Sequence, residues 1–353
     1  MNRNETSFEN AFLPAPCSGG FSMEGYWVWC GSVIKAEEDG LYHMFASRWP
    51  KDLPFHPGWG MESEIVRATS KTPEGPYTFA EVVLGYRGPE YWDGRSTHNP
   101  VICKYKDEYI LFYVGTTHPF GATPRDGSLK HESYQWRAAR SNKRTGIATS
   151  KSIYGPWTRS NTPLLSVRPD CFDNFSISNA TPCINPDGSC LVVYKTRTYL
   201  KPPYASDEIY GPMSLGVAWA PHYAGPYQRL TDKPLFDINE GVLEDPFLWR
   251  TEKGYAMIAK DWKGSYTGDA GSVVYASSAD GVHWEMQNHP AFSREVLWDD
   301  GKARTMGNMD RPFILFDGDE MTHLFVATND GHEAGFATMT RSWNACIPLK
   351  ITK

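Results

Sequence analysis

One block of sequence recurs five times along the 353 residues, and a chain built that way folds as a ring or stack of equivalent units. Three copies share a tail of fixed length: Ala68 to Gly75-Pro76-Tyr77, Ala148 to Gly155-Pro156-Trp157, and Ala218 to Gly225-Pro226-Tyr227. A fourth has Ala276 to Asp280-Gly281 with Trp284 in the aromatic place. Each tail follows an apolar run and precedes a polar turn, which reads as strand, reverse turn and strand. The heads recur too: His98-Asn99-Pro100, Ala180-Thr181-Pro182, Glu244-Asp245-Pro246 and Asp310-Arg311-Pro312, with Cys30-Gly31-Ser32 in the earliest copy. After each head come an apolar strand, a tight turn such as Glu38-Asp39-Gly40 or Pro186-Asp187-Gly188, and a second strand. A spacing of roughly 65 to 80 residues is that of a propeller blade with long insertions. The expected fold is therefore all-β: one five-bladed β-propeller domain over residues 1–353, with four-stranded antiparallel blades around a central channel and heads near 30, 98, 180, 244 and 310.

Composition removes several classes of function. A net charge of -6 leaves no basic stripe for nucleic acid. No apolar run is long enough for a bilayer span, so no membrane partner is expected. The start, Met1-Asn2-Arg3-Asn4-Glu5-Thr6, lacks the apolar stretch of a secretory signal. The location expected from this is cytoplasmic, or periplasmic if a signal was removed before the first residue. Seven cysteines show no metal-ligand spacing, and Cys103, Cys183 and Cys190 lie in strand-like runs where cysteine behaves as a small hydrophobe. Glycine-rich phosphate loops and His-Glu-x-x-His are absent. Thirteen tryptophans serve inter-blade packing first, and their surplus suits stacking on sugar rings.

In a propeller the innermost strand of every blade lines the channel, so the heads converge on one funnel. They bring Ser32, His98, Asn99, Asn179, Thr181, Glu244, Asp245, Asp310 and Arg311 together. Clustered carboxylates are costly and are kept where proton transfer or cation binding needs them. Strand alternation turns adjacent residues opposite ways, so one of Glu244 and Asp245 is expected in the funnel and the other as a tie between blades.

Glu244-Asp245-Pro246-Phe247-Leu248-Trp249, followed by Gly254-Tyr255-Ala256-Met257-Ile258, resembles the strand bearing the general-acid glutamate in five-bladed β-propeller glycosidases, notably glycoside hydrolase family 43 and its relatives in families 32, 62 and 117. Gly31 to Lys35, Tyr42 to Trp49 and Tyr91-Trp92-Asp93-Gly94 are similar to bacterial family-43-like proteins. The resemblance implies a glycosidase acting on an oligosaccharide by inversion, and an aspartate at the first and third heads. Those places read Cys30-Gly31-Ser32 and Asn179-Ala180-Thr181 instead.

Glycoside cleavage needs one protonated carboxyl and a second group that activates water or attacks the anomeric carbon. Glu244 is the expected acid, its pKa raised by burial and by Asp245, itself a further catalytic candidate. Asp310 is the expected base, with Asp93 behind it. The expected substrate-binding residues are His98, Asn99, Asn179, Arg311, Lys260, Asp261, Trp29 and Arg48, with Arg311 suited to a uronate or sulfate. The insertions Trp49 to Trp59, His118 to Trp136 and Tyr199 to Tyr210 should decorate the funnel face, and the Arg- and Lys-rich stretch from Arg125 to Arg144 suits an anionic sugar or a solvated loop. No cofactor is required by this chemistry, although oxygen-rich heads are compatible with a calcium in the channel. A non-catalytic carbohydrate-binding propeller is the alternative, a structural or interaction propeller the third reading, and oligomerisation is left open.

Overall fold

The computed structural model describes residue 8 and residues 10–202, 209–333 and 335–350. Apolar alternation, cut by Asp-Gly and Gly-Pro turns, yields four-stranded antiparallel sheets in simple up-and-down order. The first blade is β1 (Tyr26–Lys35), β2 (Tyr42–Pro50), β3 (Glu64–Ser70) and β4 (Thr78–Leu84). The second is β5 (Ser96–Tyr105), β6 (Glu108–Thr116), β7 (Arg144–Ser150) and β8 (Thr158–Arg159). The third is β9 (Ser176–Ile184), β10 (Cys190–Arg197), β11 (Ser214–Ala220) and β12 (Gln228–Arg229). The fourth is β13 (Leu243–Thr251), β14 (Gly254–Asp261), β15 (Val273–Ser278) and β16 (Glu285–Met286). A hairpin, β17 (Glu295–Leu297) with β18 (Ala303–Thr305), leads into the fifth, β19 (Asp310–Asp317), β20 (Glu320–Asn329) and β21 (Ser342–Pro348). The inner strands touch in the cyclic order β1, β5, β9, β13, β19 and back to β1, so the five sheets form a closed propeller.

The fifth blade has three regular strands, and its outer edge is completed from the other end of the chain. Phe21 exchanges backbone hydrogen bonds with Asn344, Phe12 bridges Leu349, and Ala15 bridges Trp298. The same segment reaches the first blade, where Gly20 N donates to Glu74 O and Tyr77 N donates to Gly20 O. Gly20 has φ +72°, and a Cβ there would lie 2.0 Å from the Asn344 carbonyl oxygen, so only glycine permits the approach. The residues ahead of Trp27 thus strap the last blade to the first.

Every head contains the same irregularity. The register shifts between Trp29 and Ser32, His98 and Val101, Glu244 and Phe247, and Asp310 and Phe313; in the third blade it shifts opposite Asn179, between Val193 and Lys195. Each bulge holds a non-glycine residue at positive φ: Cys30 at 57°, Asn99 at 52°, Asn179 at 48°, Asp245 at 53° and Arg311 at 53°. Such backbone costs about 1–3 kcal/mol per residue and persists only where surroundings impose it. The third head corrects the expected alignment: Ala180, not Pro182, stands where Pro100, Pro246 and Pro312 stand, because the bulge falls at Asn179.

Apolar residues between the sheets form the core. Ile102, Leu111 and Tyr113 of the second blade meet Phe45 and Ile65 of the first, and Leu191 and Val217 of the third meet Leu248 and Met257 of the fourth. Ser32 Oγ and Thr181 Oγ1, expected in the funnel, instead accept the backbone amides of Ile102 and Leu248 and stitch neighbouring blades. Two short helices come from the insertions of the first and second blades: α1 (Phe55–Glu62), interrupted at His56, which lies against β2 and β5, and α2 (Tyr134–Ser141). They pack together where Gly60 approaches Trp136 so closely that a Cβ would lie 2.1 Å from the indole. The Tyr199–Tyr210 insertion is closed by a bridge between its ends, and its Pro203 and Tyr204 lie outside the described residues, as does the Met1 to Thr6 stretch. No helix among the described residues is long and apolar enough to cross a membrane.

Candidate active site

The bulges aim two consecutive side chains of each head toward the axis, and these form two tiers. The lower tier is the residue at positive φ. Cys30 Sγ donates to Asn99 Oδ1 at 2.6 Å, Asn99 Nδ2 to Asn179 Oδ1 at 2.6 Å, and Asn179 Nδ2 to Asp245 Oδ1 at 2.6 Å. Arg311 Nη1 stands 3.6 Å from the same Asp245 oxygen. One residue from each blade thus enters a buried ring around the axis, with the Asp245 and Arg311 charges facing each other. Asp245, Asn99, Asn179 and Arg311 were expected to act on substrate; the structure links Asn99, Asn179 and Asp245 to one another by hydrogen bonds and sets Arg311 against Asp245, with Arg311 Nη1 lacking a hydrogen-bond partner. The reason is the bulge, which breaks the alternation that would have turned one residue of each pair away. A calcium ion does not fit this channel: Asp245 faces a guanidinium, the amide oxygens already accept hydrogen bonds, and no cluster of three or more His, Cys, Asp or Glu side chains suited to a metal occurs among the described residues.

The upper tier is the residue before each bulge: Trp29, His98, Ser178, Glu244 and Asp310. It floors the funnel. Glu244 is 9% exposed and Asp310 4%. Lys195 stands opposite Ser178 on the third hairpin, and Lys260 opposite Glu244 on the fourth. Each reaches forward one blade, so that Lys195 Nζ bonds Glu244 Oε1 and Lys260 Nζ bonds Asp310 Oδ1. Asn308 Nδ2 donates to the other Asp310 oxygen at 2.9 Å.

These neighbours split the two carboxyls. Burial raises Glu244, but the Lys195 and Lys260 charges outweigh it and hold the group down to about 2. Asp310 is pushed above its ordinary range, chiefly by burial and further by Asp245 and Glu244, against the pull of Lys260. The expectation that Glu244 would be raised toward neutrality is therefore corrected, because a lysine from the preceding blade lies against it.

The other side of the funnel is aromatic. Trp29 packs edge-on against Phe55 and Phe336, with centroids 5.0 and 5.8 Å apart. His98 stacks on Trp59 at 4.8 Å and meets the Trp49 edge at 5.4 Å. Ser63 Oγ lies 2.8 Å from His98 Nδ1, which leaves Nε2 as the ring nitrogen for a ligand. Burial and the nearby Lys143, Arg311 and Lys195 charges keep this histidine well below its ordinary pKa, so it is neutral at pH 7. Lys143 Nζ stands 5.0 Å above the Trp59 ring, and Lys260 Nζ lies 4.5 Å from the half-exposed Trp262.

Three expected site residues lie elsewhere. Asp93 is fully buried and accepts from Arg87 Nε at 2.6 Å and Tyr113 Oη at 2.7 Å, with Arg159 at 3.5 Å; it braces the second blade from behind. Asp173 repeats this in the third blade with Arg168, Arg229 and Tyr194. Asp261 accepts from the amides of Ser265, Tyr266 and Thr267 and shapes the turn after β14. Arg48 pairs with Glu64 at 2.8 Å between the Tyr26 and Phe79 rings, its side chain on the strand face away from the axis.

Lys143, Lys195, Ser178 and Trp59 were not singled out by sequence. The hairpin register would have found Lys195, since it occupies the place of Lys260 one blade earlier.

No protein-family model matches the chain, and no curated protein matches it. Solved structures do share its fold. A family 117 glycoside hydrolase produced by the marine bacterium Zobellia galactanivorans is 16% identical, covers 96% of this chain and 89% of its own, and superposes with a TM-score of 0.65. A thermostable family-43 glycoside hydrolase gives 14%, 97%, 94% and 0.61 for the same measures. The catalytic domain of a Coprinopsis cinerea family 62 α-L-arabinofuranosidase gives 10%, 96%, 97% and 0.59.

Proposed function

We propose that this propeller hydrolyses a glycosidic bond of an oligosaccharide bound in the funnel, with Glu244 and Asp310 as its two reacting carboxyls. The observation that carries the reading is the pair itself: two buried carboxyls at equivalent head places of adjacent blades, one held ionised and one pushed toward its protonated form. Acid–base cleavage of an acetal needs that division of roles. The shared fold with glycoside hydrolases of three families supports it, although fold by itself does not choose a reaction.

In this mechanism Asp310 donates its proton to the leaving oxygen and Glu244 takes a proton from the attacking water, so that direct attack inverts the anomeric carbon. These roles reverse the ones sequence suggested, and the reversal follows from where the lysines reach. The Lys260 ammonium stabilises the carboxylate that Asp310 becomes as its proton leaves. Trp59 and Trp262 offer apolar faces for sugar rings, and His98 Nε2 can hydrogen-bond a hydroxyl.

A second reading, sugar binding without turnover, is favoured by the first and third heads, where Cys30-Gly31-Ser32 and Asn179-Ala180-Thr181 lack the aspartates that the family 43 resemblance implies and the upper-tier residues beside them, Trp29 and Ser178, carry no carboxyl. The test is reducing-end release from an oligosaccharide panel by wild type, Glu244→Gln and Asp310→Asn. Release lost in both variants with sugar binding kept supports hydrolysis; binding without release in all three selects the second reading. Aryl glycosides then assign the roles. The Asp310 variant should keep most activity on a good leaving group, which needs no proton, whereas the Glu244 variant should not.

A further inference from the structure

Each carboxyl group at the axis has its own cation: Glu244 has Lys195, Asp310 has Lys260 and Asp245 has Arg311. Lys143 has none. It precedes β7, is 6% exposed, and its ammonium meets the Trp59 face with no anionic partner among the described residues. Ser178 Oγ, on the funnel floor, is buried without a hydrogen-bond partner, and the amide of its neighbour Ile177 donates to the Lys143 carbonyl at 3.2 Å, which sets the two segments side by side. A buried lysine without an ion-pair partner and a buried hydroxyl without a hydrogen bond, on adjacent segments, are features of a site awaiting an acceptor.

We infer that the funnel takes a substrate bearing an oxyanion, a carboxylate or a sulfate or phosphate ester, whose oxygens are held by the Lys143 ammonium and Ser178 Oγ above Trp59. The inference rests on the proposed sugar site and names its substrate class. Burial and the Lys195, Arg140 and Arg197 charges push Lys143 well below its ordinary range. An arriving anion reverses that penalty and favours the protonated lysine. Anion binding therefore takes up a proton and weakens as pH rises through the free protein's Lys143 titration. A neutral sugar gains nothing from this arrangement, because its hydroxyls do not compensate a buried charge.

The experiment is calorimetric titration of the full chain with D-galacturonate, D-galactose, inorganic sulfate and inorganic phosphate, for wild type, Lys143→Gln and Lys143→Arg. The expected result is at least tenfold preference for galacturonate over galactose, displacement of galacturonate by sulfate, weakening at higher pH, loss of the preference in Lys143→Gln and its return in Lys143→Arg. If inorganic phosphate binds and tightens galactose instead, in wild type but not Lys143→Gln, the oxyanion site stands and its occupant is a free anion. Equal binding of galacturonate and galactose without any response to sulfate or phosphate overturns the inference, as does a preference that Lys143→Gln leaves intact. Lys143→Gln gives up the contact with the Trp59 face but breaks no ion pair, so the variant should still fold, which thermal unfolding checks. Because no arm requires turnover, failure here is distinct from failure of the hydrolase reading, which reducing-end release decides.

Discussion

The funnel has two halves built on one backbone. On the first and second blades the residue before the bulge is aromatic, Trp29 or His98, and its hairpin partner is Ser47 or Val114. On the third and fourth blades that residue is Ser178 or Glu244, and the partners are Lys195 and Lys260. The strand, bulge and positive φ are the same in all five, so the contrast is carried by side chains alone. A propeller can thus keep its frame constant and divide its mouth into a surface for ring faces and a surface for charge.

The largest effect should come from the ionic half. Glu244→Gln and Asp310→Asn are each expected to lower turnover by about 10²–10⁴, measured as kcat on a responsive oligosaccharide, with little change in binding. If either variant stays fully active, the ionic half is not the reacting half. Lys195→Met sharpens the point, because it strands Glu244 buried and unpaired. A loss of about 3–5 kcal/mol in denaturant unfolding is expected, with Glu244→Gln in the same background restoring much of it.

On the aromatic side the expected effects are smaller. His98 is held neutral when folded but takes a proton near pH 6.5 when unfolded. Its folded pKa lies below its unfolded one, so the unfolded state binds more protons and stability rises with pH up to about 6.5. Below that point the slope from this residue is ~1.4 kcal/mol per pH unit, and urea unfolding of His98→Phe between pH 5 and 7.5 should lack it. Trp59→Ala should weaken sugar binding about tenfold without abolishing cleavage, read as KM against kcat. Smallest of all, Arg48→Lys should leave binding and turnover unchanged and shift stability by under ~1 kcal/mol, since it touches neither half.

What could be read from the chain follows the range of the interactions involved. Blade number, hairpins and heads were legible because turns and alternation are local, and each recurs. The two tiers were not. Alternation predicts one inward residue from Glu244-Asp245, whereas the bulge supplies two, and nothing local in Asp-Pro announces a bulge at positive φ. Lys260 is legible at the end of its strand, whereas Lys195 acts one blade ahead of its own, a contact that no single hairpin displays. Asp93, expected as a second base, has its carboxylate taken up by Arg87 and Tyr113, a pairing that its own turn does not reveal. Beside Asp173, with an arginine five or six residues earlier and a tyrosine on the next hairpin in both blades, it reads as a brace.

The buried ring also counts. Its links run one way, thiol to amide to amide to carboxylate, and the guanidinium of the fifth blade faces the same carboxylate that the third blade's amide has reached. Arg311 Nη1 ends that run without a hydrogen-bond acceptor, so the order of the ring depends on which side chain each blade contributes. A duplicated or deleted repeat would therefore interrupt the run of links at the axis before the outer strands could adjust.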